Sequence, residues 1–150
     1  MRLPIQVSIF IVRNDSQGKR EYLLLHRVLP RLSFWQPVTG GVESGETIER
    51  TARRELTEET GFAPDELRSI GFTYSFPPDE FFKDVYETPP EEIVVHVFVV
   101  RVPSGSEPNI DPLEHDQFRW CSYDDALALL HWWDDKAALE RVEAFLSSNP

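Results

Sequence analysis

The chain of 150 residues has little of several residue types that define common classes of protein. Cys121 is its only cysteine, so no disulfide can form within the chain and a zinc site built from thiolates is not expected. No apolar run approaches the ~18 residues of a membrane-spanning helix. The N-terminal stretch lacks the basic leader and small-residue cleavage site of a signal peptide. We therefore expect a soluble, cytoplasmic protein.

Basic residues are also scarce. There are 15 lysines and arginines against 26 acidic residues, which gives a formal net charge of -11. A surface of this sign repels nucleic acid polymers and anionic membranes, so neither is an expected partner. If the substrate is itself an anion, positive charge must be recruited locally, and a divalent metal ion would supply it.

Neither an internal repeat nor a low-complexity linker divides the chain, and its 41% hydrophobic content is sufficient for one domain spanning residues 1–150. Hydrophobic patterning predicts a mixture of strands and helices. The predicted strands are Ile5–Val12, Glu21–Arg27, Leu67–Phe76, Ile93–Val102 and Gln117–Cys121. The predicted helices run from the N-cap Thr47 to the stop at Gly61, after the cap Ser122, and over about Lys136–Ser147.

Two proline-bounded segments are predicted as loops. Leu29–Pro37 leads into a short extended piece at Val38 and Thr39. Pro77–Glu92 contains four prolines, and a loop this long is often a lid or a binding loop. The order of elements favours an α/β sheet between helices rather than a strictly alternating fold.

The first helix places three glutamates together. At about 100° per residue, Glu59 falls inside the apolar stripe of Ala52 and Leu56, Glu55 falls beside it, and Glu58 lies further round. Carboxylates so placed are partly buried, which is costly without compensation. The acids must take up protons, be reached by arginines, or hold a hard cation. Oxygen ligands at this density suit Mg²⁺ or Mn²⁺.

At these residues the sequence resembles the Nudix hydrolase family, whose signature is G-x5-E-x7-R-E-U-x-E-E-x-G-U with U apolar. The seven identities would arise by chance about once in 10⁸ starting points. Every defined position is filled, by Gly40, Glu46, Arg54, Glu55, Leu56, Glu58, Glu59, Gly61 and Phe62.

The resemblance implies the Nudix fold, an α/β/α sandwich with a mixed β-sheet. It also implies cleavage of a diphosphate linkage with Mg²⁺ or Mn²⁺. Glu55, Glu58 and Glu59 would then be metal ligands or the base that activates water. Arg54 would orient these carboxylates through an ion pair.

Other residues of the signature have implied supporting roles. Gly40 would let the backbone approach the metal site, the carbonyl of Thr39 would be a further ligand, and Glu46 would belong to the framework. Family members add an acid from outside the signature. Glu114, where a loop runs into a strand, is the preferred candidate, and a solvated loop acid is the open alternative.

Three further stretches resemble one branch of the family, the dihydroneopterin triphosphate pyrophosphohydrolases of bacterial folate biosynthesis. They are Phe34–Glu46, Glu114–Trp120 and Leu129–Leu146. The expected reaction cleaves a nucleoside or pterin triphosphate to the monophosphate and pyrophosphate. The alternatives are a dinucleoside polyphosphate hydrolase, and a module that senses a nucleotide without cleaving it. The intact glutamates favour catalysis over sensing.

A flat heterocycle stacks on aromatic side chains. Trp35, Phe81 and Phe82 are the candidates for this contact, and packing in the core is the alternative for each. Arg27, near a strand end, is a candidate phosphate contact, with a surface salt bridge as the alternative. The histidines show no metal-ligand spacing and are interpreted as structural, although for His115 a role in the site stays an open alternative. The expected partner is a small phosphoanhydride, bound by a monomer or homodimer.

Overall fold

The structure, a computed structural model, describes residues 2–28, 32–78, 86 and 90–150. This part of the chain forms seven strands and three helices. The strands are β1 Arg2–Asn14, β2 Arg20–Val28, β3 Ser33–Gln36, β4 Val38–Glu43, β5 Arg68–Phe76, β6 Ile93–Arg101 and β7 His115–Cys121. The helices are α1 Ile48–Thr60, α2 Tyr123–Leu129 and α3 Trp133–Ser148.

The seven strands form one mixed sheet centred on β1. On one edge β1 pairs in parallel with β6, which in turn pairs antiparallel with β5. On its other edge β1 pairs antiparallel with β4 along its first part and with β2 along its last four residues. Strand β2 carries β3 and β7, both antiparallel. The sheet therefore branches at the point where the partner of β1 on this edge changes from β4 to β2.

Helices cover both faces of this sheet. On one face α1 contributes Ala52 and Leu56 to a core that is completed by strand residues, Val7, Ile9, Ile11, Leu23, Leu25, Val38, Phe98 and Val100. On the other face α2 and α3 pack against the alternate residues of the same strands, among them Phe10, Tyr22 and Leu24. The predicted α/β/α sandwich with a mixed sheet is therefore confirmed.

The prediction of a loop over Leu29–Pro37 is wrong for the part that forms β3. Ser33–Gln36 pairs with β2, and both Phe34 and Gln36 are buried by that pairing. The prediction failed because a four-residue strand owes its existence to the neighbouring strand rather than to a pattern of its own. Pro37 has no N–H to donate to a ladder and separates β3 from β4.

Other predicted elements are confirmed with shifted ends. The extended piece at Val38 and Thr39 is a full strand, and β7 begins at His115 rather than Gln117. Helix α3 begins at Trp133 rather than Lys136, without a side-chain cap. None of the helices in the described segments has the length and apolar character needed to cross a membrane.

Candidate metal centre and active site

Helix α1 is held at both ends by the residues that the sequence predicts. The hydroxyl of Thr47 accepts a hydrogen bond from the backbone N–H of Arg50 at 3.1 Å. Gly61 adopts a left-handed backbone, with φ of 74°, and donates its N–H to the carbonyl of Thr57. These caps satisfy backbone groups that would otherwise lack partners, and they fix which helical turn faces the sheet.

The three clustered glutamates of α1, Glu55, Glu58 and Glu59, differ sharply in exposure. Glu59 is buried, with 4% of its surface exposed. The side chain of Glu55 is 13% exposed and that of Glu58 is 58% exposed. This order follows the helical periodicity, because Glu59 lies on the same face of the helix as Leu56, which packs in the core. The cluster thus reaches from the core to solvent.

Arg54 holds the outer part of the cluster. Its guanidinium donates to both oxygens of Glu46, at 2.7 and 2.9 Å, to Glu55 at 2.9 Å and to Glu58 at 3.2 Å. The arginine lowers the pKa of Glu46 to about 2. Glu46 also accepts from the backbone N–H of Glu43, which ties the helix to the end of β4. Arg54 thus joins Glu46 to the outer carboxylates, and the roles of Arg54 and Glu46 in the reaction stay predictions.

Gly40 lies where β4 passes closest to α1. A Cβ atom at this position would lie 2.2 Å from Cδ of Glu55, well inside van der Waals contact. Any larger residue would therefore displace the Glu55 carboxylate or the strand. The absence of a side chain lets the backbone of β4, including Thr39 and Gly40, approach the carboxylates.

Glu114 is brought to the inner end of the cluster by its loop. Asn109 donates its backbone N–H to the carbonyl of Thr60, so the loop is fastened to the end of α1. Asp111 then forms a turn that receives the N–H groups of Glu114 and His115. A carboxylate oxygen of Glu114, one of Glu59 and a ring nitrogen of His115 lie within 4.8 Å of one another.

Two buried polar residues that the sequence did not select complete the inner site. His115 is fully buried and Gln36 is 5% exposed. Their side chains meet, with Nε2 of Gln36 at 3.1 Å from Nε2 of His115. Gln36 was missed because its segment was predicted as a loop. The position of His115, directly after the predicted ligand Glu114 at the start of a strand, was the available signal.

The electrostatics of the inner site favour neutral groups. Burial, together with the neighbouring Glu114 and Glu55, raises the pKa of Glu59 to about 10. Burial also raises the pKa of Glu55, although Arg54 acts in the opposite direction. Burial and the charge of Arg27 lower the pKa of His115. Each shift comes mainly from lost hydration of the charged form.

The residues fit a divalent cation. Oε2 of Glu59 is buried and has no hydrogen-bond partner among the described residues. A buried carboxylate oxygen without a donor is costly, and a cation removes that cost. Carboxylates in this number form the ligand set of hard ions such as Mg²⁺ and Mn²⁺.

The predicted substrate contacts fall in different places. Arg27 lies opposite His115 on β2, close enough to influence the pKa of both Glu59 and His115, and has no ion-pair partner among the described residues. Trp35 lies on the other face of the sheet, where it packs against the core covered by α2 and α3. Phe81 and Phe82 lie outside the described residues.

The fold and this site together define a Nudix domain. The family model of the NUDIX domain matches residues 3–142, and the chain belongs to this family. The helix that carries the cluster and the strand that supplies Gly40 both lie within the match. The family assignment therefore covers the whole candidate site.

Individual relatives differ in the length that they share with this chain. The octanoyltransferase of Myxococcus xanthus is 32% identical over 138 residues, and the chain spans 36% of its length. Dihydroneopterin triphosphate diphosphatase of Escherichia coli is 31% identical over 139 residues, 90% of each chain. The solved structure of the Escherichia coli dihydroneopterin triphosphate pyrophosphohydrolase superposes with a TM-score of 0.78 at 26% identity, covering 93% of this chain and 94% of that one. The asymmetrical bis(5'-nucleosyl)-tetraphosphatase of Mus musculus is 29% identical over 134 residues, 87% of this chain and 83% of that protein.

Proposed function

We propose that this protein is a pyrophosphohydrolase that depends on Mg²⁺ or Mn²⁺ and cleaves a nucleoside or pterin triphosphate to the monophosphate and pyrophosphate. The observation that carries the proposal is the buried oxygen of Glu59 at the inner end of a row of carboxylates, which has no hydrogen-bond partner among the residues that the structure describes. The likeness to the Escherichia coli dihydroneopterin triphosphate diphosphatase over 90% of both chains supports the choice of substrate class.

The proposed metal ligands are the carboxylates of Glu55, Glu58, Glu59 and Glu114, with the carbonyl of Thr39. When bound, the divalent ion would neutralise phosphate charge and lower the pKa of a coordinated water. The inner and outer carboxylates would contribute to metal binding in different ways. The inner carboxylates lose an unfavourable buried state when they bind a cation, and the outer ones face the solvent from which substrate arrives.

The chain's own residues would orient the reaction. Arg54 holds Glu55 and Glu58 at fixed distances, so their carboxylates do not need to reorganise. Glu58, exposed at its tip, and Glu55 are the proposed acceptors of the proton that water loses. The water oxygen bonds to phosphorus as the bridging P–O bond breaks, and pyrophosphate departs.

Substrate recognition rests on residues around this row. The cationic side chain of Arg27, near Glu59 and without an acidic partner in the described segments, is a proposed phosphate contact. Trp35, Phe81 and Phe82 remain predicted contacts of the heterocycle. For Trp35 such a contact requires the base to reach the edge of the sheet where β3 pairs with β2.

A dinucleoside polyphosphate hydrolase is the second candidate. The mouse asymmetrical tetraphosphatase, which is similar over 87% of this chain, favours it. A module that senses nucleotides without cleaving them is a weaker proposal, since no glutamate of the signature is missing.

Product analysis separates these functions. Purified protein is incubated with dihydroneopterin triphosphate, dATP or diadenosine tetraphosphate, with Mg²⁺ or Mn²⁺, and products are separated by ion exchange. Inorganic pyrophosphate from either triphosphate supports the first proposal. Two mononucleotides from diadenosine tetraphosphate, with the triphosphates intact, would support the second. Binding without any product would support the sensing module, and preference for the pterin would support a role in folate biosynthesis.

A further inference from the structure

The imidazole of His115 is held in an unusual state for a buried histidine. The residue is fully buried, and its Nε2 atom lies 3.1 Å from the side-chain amide of Gln36. Its Nδ1 atom is buried and has no hydrogen-bond partner among the described residues. Histidines that serve only to pack normally have both nitrogens bonded, because a lone buried nitrogen loses its hydration without replacement.

A second buried polar atom without a partner in the described segments lies near this nitrogen. Oε2 of Glu59 is also buried without a hydrogen bond in the described part of the chain. A ring nitrogen of His115 shares a cluster of 4.8 Å with carboxylate oxygens of Glu59 and Glu114. Nδ1 is the ring nitrogen that Gln36 leaves free, and no hydrogen bond joins it to those carboxylates among the described residues. A single cation would give both atoms a partner.

We infer that His115 binds, through Nδ1, the divalent ion that Glu59 and Glu114 hold, so that this position has a nitrogen ligand beside its carboxylates. The inference rests on the proposed function for the presence of the ion. Gln36 occupies the other ring nitrogen. A half-turn of the Gln36 amide places its oxygen there, where it accepts the Nε2 proton and leaves the Nδ1 lone pair free for a metal.

A nitrogen ligand changes which metal the position prefers. Mg²⁺ is a hard ion that takes oxygen ligands and sheds water reluctantly. First-row transition ions accept imidazole more readily. We therefore expect the position formed by Glu59, Glu114 and His115 to bind Mn²⁺ in preference to Mg²⁺. The outer carboxylates of Glu55 and Glu58 offer only oxygen and have no such preference.

Pulsed electron paramagnetic resonance of bound Mn²⁺ tests the coordination directly. Tag-free protein is loaded with less than one equivalent of Mn²⁺, and the electron spin echo modulation is recorded. We expect coupling to a directly bound ¹⁴N nucleus in the native protein, replaced by ¹⁵N coupling after labelling with ¹⁵N-histidine. This comparison needs no substitution. Bound Mn²⁺ without nitrogen coupling would overturn the inference.

Two variants identify the histidine that supplies the coordinating nitrogen. In His115→Gln the coupling is expected to vanish and Mn²⁺ affinity to fall about tenfold to a hundredfold, with Mg²⁺ affinity changed less than threefold. His26→Gln is the matched control. His26 lies on the opposite face of the sheet, where Nδ1 meets Asp116 at 2.6 Å and the ring lies against Trp35, so the coupling should persist. Equal loss of affinity for both metals in His115→Gln would contradict the inference.

Failure of the inference and failure of the proposed function have different signatures. If the protein releases pyrophosphate but its bound Mn²⁺ shows no nitrogen coupling, His115 is not a ligand, and the proposed hydrolase function still holds. Protein that binds no Mn²⁺ and forms no product overturns both.

Discussion

Glu55, Glu58 and Glu59 are the same type of residue on one helix, but each has a different environment. Glu59 is buried and favours its neutral form, Glu55 is nearly buried beside Arg54, and Glu58 is exposed. Burial and charge set how strongly each one holds a proton. We therefore propose different roles for them, with the inner one as a metal ligand and the outer one exchanging a proton with water.

Glu58→Gln tests the outer carboxylate. We expect turnover to fall by at least about a hundredfold, because amide oxygen is a poor base and a weak metal ligand. Stability should change by less than about 0.5 kcal/mol, since the lost ion pair with Arg54 is exposed. Steady-state kinetics and urea unfolding measure the two quantities.

The matched control for this change is Glu49→Gln. Glu49 pairs with Arg53 at 3.2 Å with the same spacing along the helix and similar exposure. Glu49→Gln should leave the rate unchanged and cost only a few tenths of a kcal/mol of stability, since Glu49 lies in the first turn of α1. A drop in stability that accounts for the lost activity of Glu58→Gln would show a structural rather than a chemical role.

Gly40→Ala tests the close approach of β4 to α1. The added methyl would meet the side chain of Glu55, so this carboxylate must move. We expect activity to fall by about tenfold to a hundredfold and the free energy of unfolding to fall by about 1 to 3 kcal/mol. Gly18→Ala is the control. Gly18 has a left-handed backbone with φ of 80°, and an added Cβ would meet nothing within 4 Å in the described part of the chain, so Gly18→Ala should lose stability but not activity per folded molecule. Normal activity in Gly40→Ala would mean that the position of Glu55 does not matter.

At the scale of elements, α3 carries a buried acid that the site does not use. Asp135 lies in the first turn of α3 and is 5% exposed. Tyr74 of β5 donates its hydroxyl to it at 3.4 Å. Burial raises the pKa of Asp135 to about 7, although the tyrosine acts in the opposite direction. We therefore expect the contact between α3 and the sheet to depend on pH.

Asp135→Asn tests that response. The folded protein keeps a proton on Asp135 to about pH 7, whereas the unfolded chain releases it near 3.8. The contribution of Asp135 to the free energy of unfolding is fully present below pH 3.8 and is lost as pH rises through 7. We expect Asp135→Asn to be more stable than the native protein at pH 8, by on the order of 3 kcal/mol, and nearly equal at pH 4. Urea unfolding in EDTA at both pH values measures the difference.

Asp134→Asn is the control on the same turn. It removes an equal charge from the helix N-terminus but from a half-buried position. Its loss should cost a few tenths of a kcal/mol through the helix dipole. If both variants behave alike at pH 8, the burial of Asp135 does not govern the pH dependence.

At the scale of the whole molecule, the net charge of -11 leads us to expect that a bound cation would stabilise the folded protein. Metal-free protein carries unfavourable acids inside, whereas bound cations would stabilise the folded state alone. A ligand at about 100 times its dissociation constant stabilises by about 2.7 kcal/mol. Metal removal should therefore be visible in folding, independently of substrate.

We expect the metal-free protein to lose stability as pH rises between 4.5 and about 10, the unfolded and folded pKa values of Glu59. One group contributes at most about 1.4 kcal/mol per pH unit. Mn²⁺ should restore stability most at high pH, where the carboxylates are free of protons. Calorimetry at pH 6 and 8.5, with EDTA or with Mn²⁺, measures this. In Glu59→Gln both the slope and the metal effect should shrink; an unchanged metal effect would place the ion elsewhere.

Much of this protein was determined by local patterns in its sequence. The caps Thr47 and Gly61 mark the two ends of α1, and helical periodicity alone placed Glu59 inside the apolar stripe and Glu55 beside it. The signature from Gly40 to Phe62 predicted the family and the fold. These features are local because the helix rotates by a fixed angle per residue, so spacing along the chain determines the face on which a side chain lies.

Only the tertiary structure decided what meets that face. Strand β3 exists because β2 pairs with it, and this pairing brings Gln36 to His115. Once that strand forms, the alternation of side chains along it turns Trp35, one residue earlier, to the other face of the sheet. The loop fastened at Thr60 carries Glu114 to Glu59 across a long stretch of sequence. Contacts between distant segments depend on how the sheet is assembled, and no periodicity within either segment encodes them.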